Sequence, residues 1–396
     1  AEYDGVDVAG KIVLIDLNQW DNWWVTWPSL EANYQGAAAI INSCDGGYAQ
    51  LNEDTMNCQD FCGPIIIPSV NISVNDANYL KGLLENGPVT VTLKVDNVVE
   101  HGGTGYNIVG EIPGKTADEI IIIGDHYDTH FWGFQDNSCA VGMTLAIAKG
   151  MIKAGIKPER TIVFILHAAE EWGAIDTRYD WSIGAWNQVF RVHPEWAGKA
   201  LAYINFELPA YEFGPDTSVT STPEYWTYLT DFIARGIVEP DGCYPDGVRE
   251  PSASLYTWSD DWSYSIAGIP SMINGFLFDG EGNRYSFYEN YYHSQFDNPD
   301  TYNENVLAFN LKFYGALALA IDHDPAIALD FTAQADRLEA SIDPDVLALA
   351  DLSADPLLAE IAAFRDTAAA LYAQAARVNE GYAKLVAEKA SAGDLA

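Results

Sequence analysis

Four short apolar runs dominate the middle of the chain: Ile120-Ile121-Ile122-Ile123 and residues 161–166, 201–206 and 269–274. Each has the length and composition of a strand buried on both faces. Between them lie segments of helical pattern over 140–154 and 223–234, the second with Thr222 as its expected N-cap and Pro223 at the first helical position. Strands alternating with helices predict an α/β fold with a mostly parallel sheet flanked by helices. In such a sheet, loops at the carboxyl ends of the strands converge on one crevice.

The remainder divides around this domain, which we place at residues 105–325. Residues 1–104 form a first α/β unit, with strands expected at 11–15 and 37–41, a helix at 29–36, and the run Ile65-Ile66-Ile67-Pro68 leading to a helix start at Ser73. Val89, Val91, Leu93 and Val95 alternate with polar residues at the period of a half-buried strand. Residues 326–396 are rich in Ala, Leu and acids, have no strand signal, and read as two or three amphipathic helices that pack on the sheet domain or form a dimer interface.

Composition narrows the partners. Of 396 residues, 57 are acidic against 20 Lys plus Arg, a formal net charge of −37 that repels nucleic-acid phosphates and anionic membranes. The charge suits a saline habitat or an ordinary acidic secreted protein. No apolar stretch approaches the ~20 residues that span a bilayer. The chain opens on Ala1-Glu2-Tyr3-Asp4 without a signal-peptide pattern, as both mature secreted proteins and trimmed chains do. A disulfide among Cys44, Cys58 and Cys62 would fit an oxidising compartment, so we expect an extracellular or periplasmic location.

Chemistry concentrates just after the strands. His126 ends the isoleucine run, and Asp128 two residues on is placed to accept from its second ring nitrogen and fix the tautomer. Asp136 stands at the entry to the helix 140–154, where a plain N-cap aspartate is the competing reading; a carboxylate with two oxygens can also bridge two cations. Glu170 and Glu171 are adjacent acids after a buried strand. Like charges there raise each other's pKa unless cations neutralise them. Glu207 follows the run 201–206, and His293 lies in Tyr291-Tyr292-His293-Ser294-Gln295. Two imidazoles and three carboxylates suit two metal ions, with Glu170 left to act as a base, the inventory of a two-zinc hydrolase. His101, His130, His167, His193 and His323 lack such context and read as background.

In order and spacing these residues resemble the M28 zinc exopeptidases, most closely the branch that includes glutamate carboxypeptidase II and the transferrin receptor. The resemblance covers nearly the whole chain. It makes 1–104 part of a protease-associated (PA) domain incomplete at its N-terminus, 105–325 the zinc-peptidase domain and 326–396 a helical dimerisation region. It implies two Zn²⁺, with His126 and Glu207 on one, Glu171 and His293 on the other, and Asp136 bridging. Glu170 is then the general base and Asp128 the group that orients His126. The chain departs from the pattern at Glu207, where most relatives have Asp, and at Cys139-Ala140, where a small residue and glycine are usual. The resemblance also implies an earlier segment, removed or supplied by another chain.

The implied substrate is a peptide. Asp16, aligned where glutamate-specific relatives place an arginine, would favour a free amine, and Tyr292 would donate a hydrogen bond to substrate. Trp20, Trp23, Trp24 and Trp27 form either an apolar wall for a side chain or a packing patch. The reading is an aminopeptidase. The alternatives are a carboxypeptidase or dipeptidase on the same scaffold, and a transferrin-receptor-like binding protein.

Overall fold

A computed structural model of the chain describes residues 3–22, 27–57, 67–96, 98, 100, 102–172, 181–251, 255, 257–276 and 286–388. They form two units. The first comprises Ala1–Thr104 with Thr129–Cys139 and Leu277–Tyr302; the second comprises Gly105–Asp128, Ala140–Phe276 and Asn303–Ala396.

In the first unit, β1 (Ile12–Asn18), β2 (Ala39–Gly46) and β3 (Ser69–Ile72) form a parallel sheet in that order, with Ile15 opposite Asn42. Helix α1 (Trp27–Tyr34) links β1 to β2, and α2 (Val74–Leu84) follows β3. Ile15, Leu17, Ala32, Ala37, Ile40 and Cys44 make its core. Ser73 caps α2 by accepting from the Asp76 amide, which satisfies one of the four unpaired N–H groups at a helix start. The strand expected over 89–95 does not form. Burial alternates at Val89, Val91 and Leu93, but no ladder is made there, and alternation alone reports a half-buried surface. Trp23, Trp24, Cys58, Cys62, Ile65 and Ile66 lie outside the described residues.

The second unit is built on a six-stranded mixed sheet. Its strands are β4 (Ile108–Ile112), β5 (Thr116–His126), β6 (Arg160–His167), β7 (Ala200–Asn205), β8 (Val219–Ser221) and β9 (Ser271–Asn274), in the order β4-β6-β5-β7-β9-β8. The four central strands are parallel, and the two edge strands, β4 and β8, run antiparallel to their neighbours. The register sets His126 opposite His167, and Gly124 and Ile273 opposite Asn205, so the carboxyl ends of β5, β6, β7 and β9 are level. Gly124 is required there, because a Cβ would fall 2.5 Å from the Ile165 carbonyl oxygen.

Helices cover both faces. On one, α3 (Cys139–Ala154) and α7 (Glu304–His323) bury Met143, Ile147, Met151, Phe309, Phe313 and Leu317 against Ile121 and Ile123. On the other, α4 (Ile183–Asn187) and α6 (Asp260–Ile266) pack Ala185 and Tyr264 against Ile120 and Ile122. Each large side chain so buried contributes about 1.5–3 kcal/mol. Helix α5 (Trp226–Ala234) follows a 3₁₀ turn over Pro223–Tyr225. Thr222 stands at the expected N-cap position with Pro223 at the first helical position, but its hydroxyl hydrogen-bonds Ser271 on β9 rather than the helix start.

At the far end of the sheet, Arg160 is buried. Its guanidinium donates to the carbonyls of Ile321, Asp322 and Asp324 at the end of α7, where the helix presents unsatisfied carbonyls and partial negative charge, and to Glu119. The C-terminal region is helical: α8 (Thr332–Ala340), α9 (Pro344–Leu349) and the long α10 (Asp355–Ala387). Arg365 of α10 pairs with Asp336 and Glu339 of α8.

Candidate active site

Within the second unit, His126 is the last residue of β5 and is almost fully buried. Its Nε2 lies 3.4 Å from Glu207 Oε2 and 3.9 Å from Glu170 Oε2. One ligand atom from each of the three residues falls within 4.8 Å of the others, a grouping able to hold a metal ion. The parallel register brings them together, since Glu170 follows β6 and Glu207 follows β7.

The loops are held by their backbones. Ala169, just before Glu170, and Leu208, just after Glu207, have φ of 56° and 51°, a left-handed conformation that costs energy for residues with a Cβ. Tertiary hydrogen bonds hold both turns, the one at Leu208 through the Asn274 side chain on the Glu207 backbone. Asp128 accepts from the amides of Glu170 and Glu171, at 3.0 and 3.1 Å. Ser182 donates from its amide to the Glu170 carbonyl at 2.7 Å and from its hydroxyl to Glu170 Oε1 at 3.2 Å. Gly184 allows α4 to approach, because a Cβ there would fall 2.0 Å from the Ala168 carbonyl oxygen.

Asp128 was expected to orient His126 through its carboxylate. In the structure its main-chain carbonyl is the nearer atom, 3.1 Å from His126 Nδ1, while the nearest carboxylate oxygen is 3.6 Å away. The carboxylate engages the glutamate amides, so one residue braces both the imidazole and the acid pair.

Electrostatics favour a cation here. Burial pushes the Glu170 carboxyl well above the ordinary range; the His126 imidazole opposes this, and the Glu207 and Glu171 charges add to it. Asp261, behind Glu207, is pushed up to about 8, chiefly by burial, against a hydrogen bond from Asn205. Buried carboxylates facing one another are costly unless protonated or neutralised. A divalent ion taking one imidazole and two carboxylates neutralises them, and this donor set suits zinc.

In the first unit, His293 and Asp136 come together, with Nε2 to Oδ2 at 3.5 Å. Asp136 belongs to a single turn, Phe134–Ser138, and precedes a cis peptide to Asn137; α3 begins only at Cys139. Asp136 is therefore not the plain helix N-cap that competed with the ligand reading. His293 has φ of 52° and stacks on Tyr292, centroids 3.7 Å apart. Glu171 lies in the second unit, buried beside Glu170. Asp16 ion-pairs with Lys81 at 2.7 Å and accepts from Ser43 Oγ at 2.7 Å.

Sequence reasoning missed four supporting residues. His130, set aside as background, is buried with its ring 4.4 Å from that of His293. His167, likewise set aside, is fully buried and hydrogen-bonds Tyr264 at 2.9 Å. Asp297 accepts from the amides of Gln135 and Asp136, at 2.8 and 3.1 Å, and so braces the Asp136 turn from the His293 loop. Asn274 holds the Glu207 backbone. None has a sequence signature, because each acts on residues distant in the chain.

Comparison with known proteins agrees with this architecture. Residues 107–314, more than half of the chain, match the model of peptidase family M28. The chain belongs to that family. It is 25% identical over 291 residues to a probable leucine aminopeptidase 2 of Aspergillus fumigatus, covering 69% of this chain and 52% of that protein. It is 27% identical over 267 residues to a probable glutamate carboxypeptidase of Arthroderma benhamiae, covering 61% of this chain and 34% of that one. The chain thus spans about half or less of the length of these curated relatives. A zinc aminopeptidase from Bacillus subtilis shares the fold, with a TM-score of 0.58 at 18% identity over 82% of this chain and 73% of that chain.

Proposed function

We propose that the protein is a two-zinc exopeptidase, and specifically an aminopeptidase. The observation that carries this reading is the buried group of His126, Glu170 and Glu207 at level strand ends. His126 and Glu207 would hold one Zn²⁺, Glu171 and His293 the other, with Asp136 between them. Bound zinc supplies Lewis acidity that polarises a peptide carbonyl and acidifies water. The chain's own residues do the rest. Glu170, whose burial favours the protonated form, takes a proton and returns it to the leaving amine. The Asp128 carbonyl accepts from His126 Nδ1 and so favours the tautomer whose Nε2 lone pair would ligate. Tyr292 and Asp16 are our candidates for contacting the substrate.

Membership of the family and the leucine aminopeptidase relative support the peptidase activity. The carboxypeptidase or dipeptidase reading is kept because of the glutamate carboxypeptidase relative. Elemental analysis of the protein and of Glu207→Ala, with hydrolysis of free and amino-blocked peptides, tests the assignment. About two zinc ions per chain, fewer in the variant, and cleavage of free-amine peptides alone are expected. Cleavage of blocked peptides would move the assignment to carboxypeptidase, and the absence of both metal and turnover would overturn it.

We further propose a homodimer through the C-terminal helices. Leu357, Phe364, Leu371 and Val378 of α10 recur every seven residues and are exposed, a seam suited to a second helix. Sedimentation equilibrium of the protein and of Leu371→Lys tests this, and a monomeric parent would dismiss it. A PA-like first unit and an extracellular or periplasmic location complete the proposal. The acidity and the Cys44, Cys58, Cys62 group support that location, and peptide mapping without reductant checks for a disulfide.

A further inference from the structure

Glu207 carries one more side-chain carbon than an aspartate and has more freedom in where its oxygens point. The structure removes that freedom. Ser259 Oγ donates to Glu207 Oε1 at 2.5 Å, while Glu207 Oε2 is the oxygen that lies 3.4 Å from His126 Nε2. Asn205 Nδ2 donates to Ser259 Oγ at 2.7 Å and to Asp261 Oδ1 at 3.1 Å. Asn205 Oδ1 accepts from the Tyr203 hydroxyl at 3.0 Å. The asparagine amide is thereby oriented from both sides, with its nitrogen toward Ser259. A serine hydroxyl has a single proton. With a donor already on its oxygen, that proton is directed to Glu207. Tyr203, Asn205, Ser259 and Asp261 are all buried, so water does not compete for these bonds.

We infer that Ser259 is a positioning residue that holds Glu207 Oε1 and so turns Oε2 toward His126, where an ion would be held. The inference rests on the zinc reading above. Ser259 acts only through Glu207: it fixes one carboxylate oxygen and would leave the other to the ion, which restricts the longer side chain.

The test is competition for Zn²⁺ with a chromophoric chelator, using the full chain, Ser259→Ala and Ser259→Thr, together with visible spectra of the Co²⁺-loaded forms. Ser259→Ala should weaken one of the bound ions about 10–100-fold, the usual cost of losing such an outer partner. Its Co²⁺ spectrum should change as Glu207 turns. Ser259→Thr, which keeps the hydroxyl, should restore both. Thermal melting of the metal-free forms is followed alongside, because losing a buried hydroxyl also costs stability. If Ser259→Ala melts lower, Ser259→Thr against Ser259→Val carries the comparison, since that pair differs in the hydroxyl at equal shape. Wild-type affinity and an unchanged Co²⁺ spectrum in the variants without the hydroxyl would overturn the inference while leaving the zinc reading intact. Failure of the wild-type chain to bind either metal would overturn both.

Discussion

Asn274 reads the backbone of Glu207 in both directions: its Oδ1 accepts from the Glu207 amide and its Nδ2 donates to the Glu207 carbonyl, each at 2.7 Å. The side chain at the end of β9 thus continues the ladder to β7 by one residue and fixes where Glu207 leaves the sheet. Asn274→Ala leaves a buried N–H and a buried C=O without these bonds. At about 1–3 kcal/mol for each of the two unsatisfied groups, the variant should be destabilised by roughly 2–6 kcal/mol. Urea unfolding checks this. An effect below about 1 kcal/mol would show that water replaces the side chain.

Glu170 is the group assigned to move the proton. Glu170→Gln keeps the shape and the bond from Ser182 but cannot take a proton. The expected result is a loss in kcat of about 10²–10⁴-fold with zinc content unchanged. A variant that loses zinc instead would make Glu170 a ligand, as its place beside His126 and Glu207 also permits.

The buried acids predict how the metal-free protein responds to pH. Asp297 is pushed up to about 7, first by burial, with the Gln135 amide opposing and Asp136 adding to the shift. Its folded pKa exceeds its unfolded value, so the folded state holds the proton longer. The stabilisation is full below the unfolded value of about 3.9 and is lost as pH rises toward 7. Asp261 extends the window to about 8. Chelated protein should therefore weaken from pH 4.5 to 8, and Asp297→Asn should make that slope shallower. Zinc should flatten it further, because a cation favours the charged carboxylates. Urea midpoints at the two pH values decide the matter. An equal slope in the variant would remove Asp297 from the account.

Asp16 separates a recognition role from a structural one. Its pair with Lys81 is partly exposed, and such a pair contributes at most about 1 kcal/mol. If Asp16 receives the substrate amine, Asp16→Asn should raise KM several-fold for free-amine peptides with kcat unchanged. An unchanged KM with a slight loss of stability would make it a strut between β1 and α2.

Much of this was legible in the sequence. The isoleucine run of β5 and the apolar run of β6 were visible as buried strands because a strand covered on both faces needs unbroken apolar residues. His126, Glu170 and Glu207 were visible because polar groups directly after such runs have few structural reasons to be there. The segment 89–95 was misread because its alternation describes exposure, whereas a strand also needs a neighbour. Thr222 does stand at the N-cap position with Pro223 after it, as its sequence signal says, but its hydroxyl bonds Ser271, a residue distant in sequence, rather than the helix start.

The sequence by itself determined the sheet-and-helix alternation, the helical tail and the residue types at the strand ends, since these follow from periodicity and local chemistry. Only the tertiary structure decided which atoms meet. That the Asp128 carboxylate braces the amides of Glu170 and Glu171, that Ser259 holds one oxygen of Glu207, and that Asp297 steadies the Asp136 turn all depend on residues far apart in the chain. Hydrogen bonds at such separation leave no periodic trace, because their partners are set by strand register and loop geometry rather than by spacing along the chain.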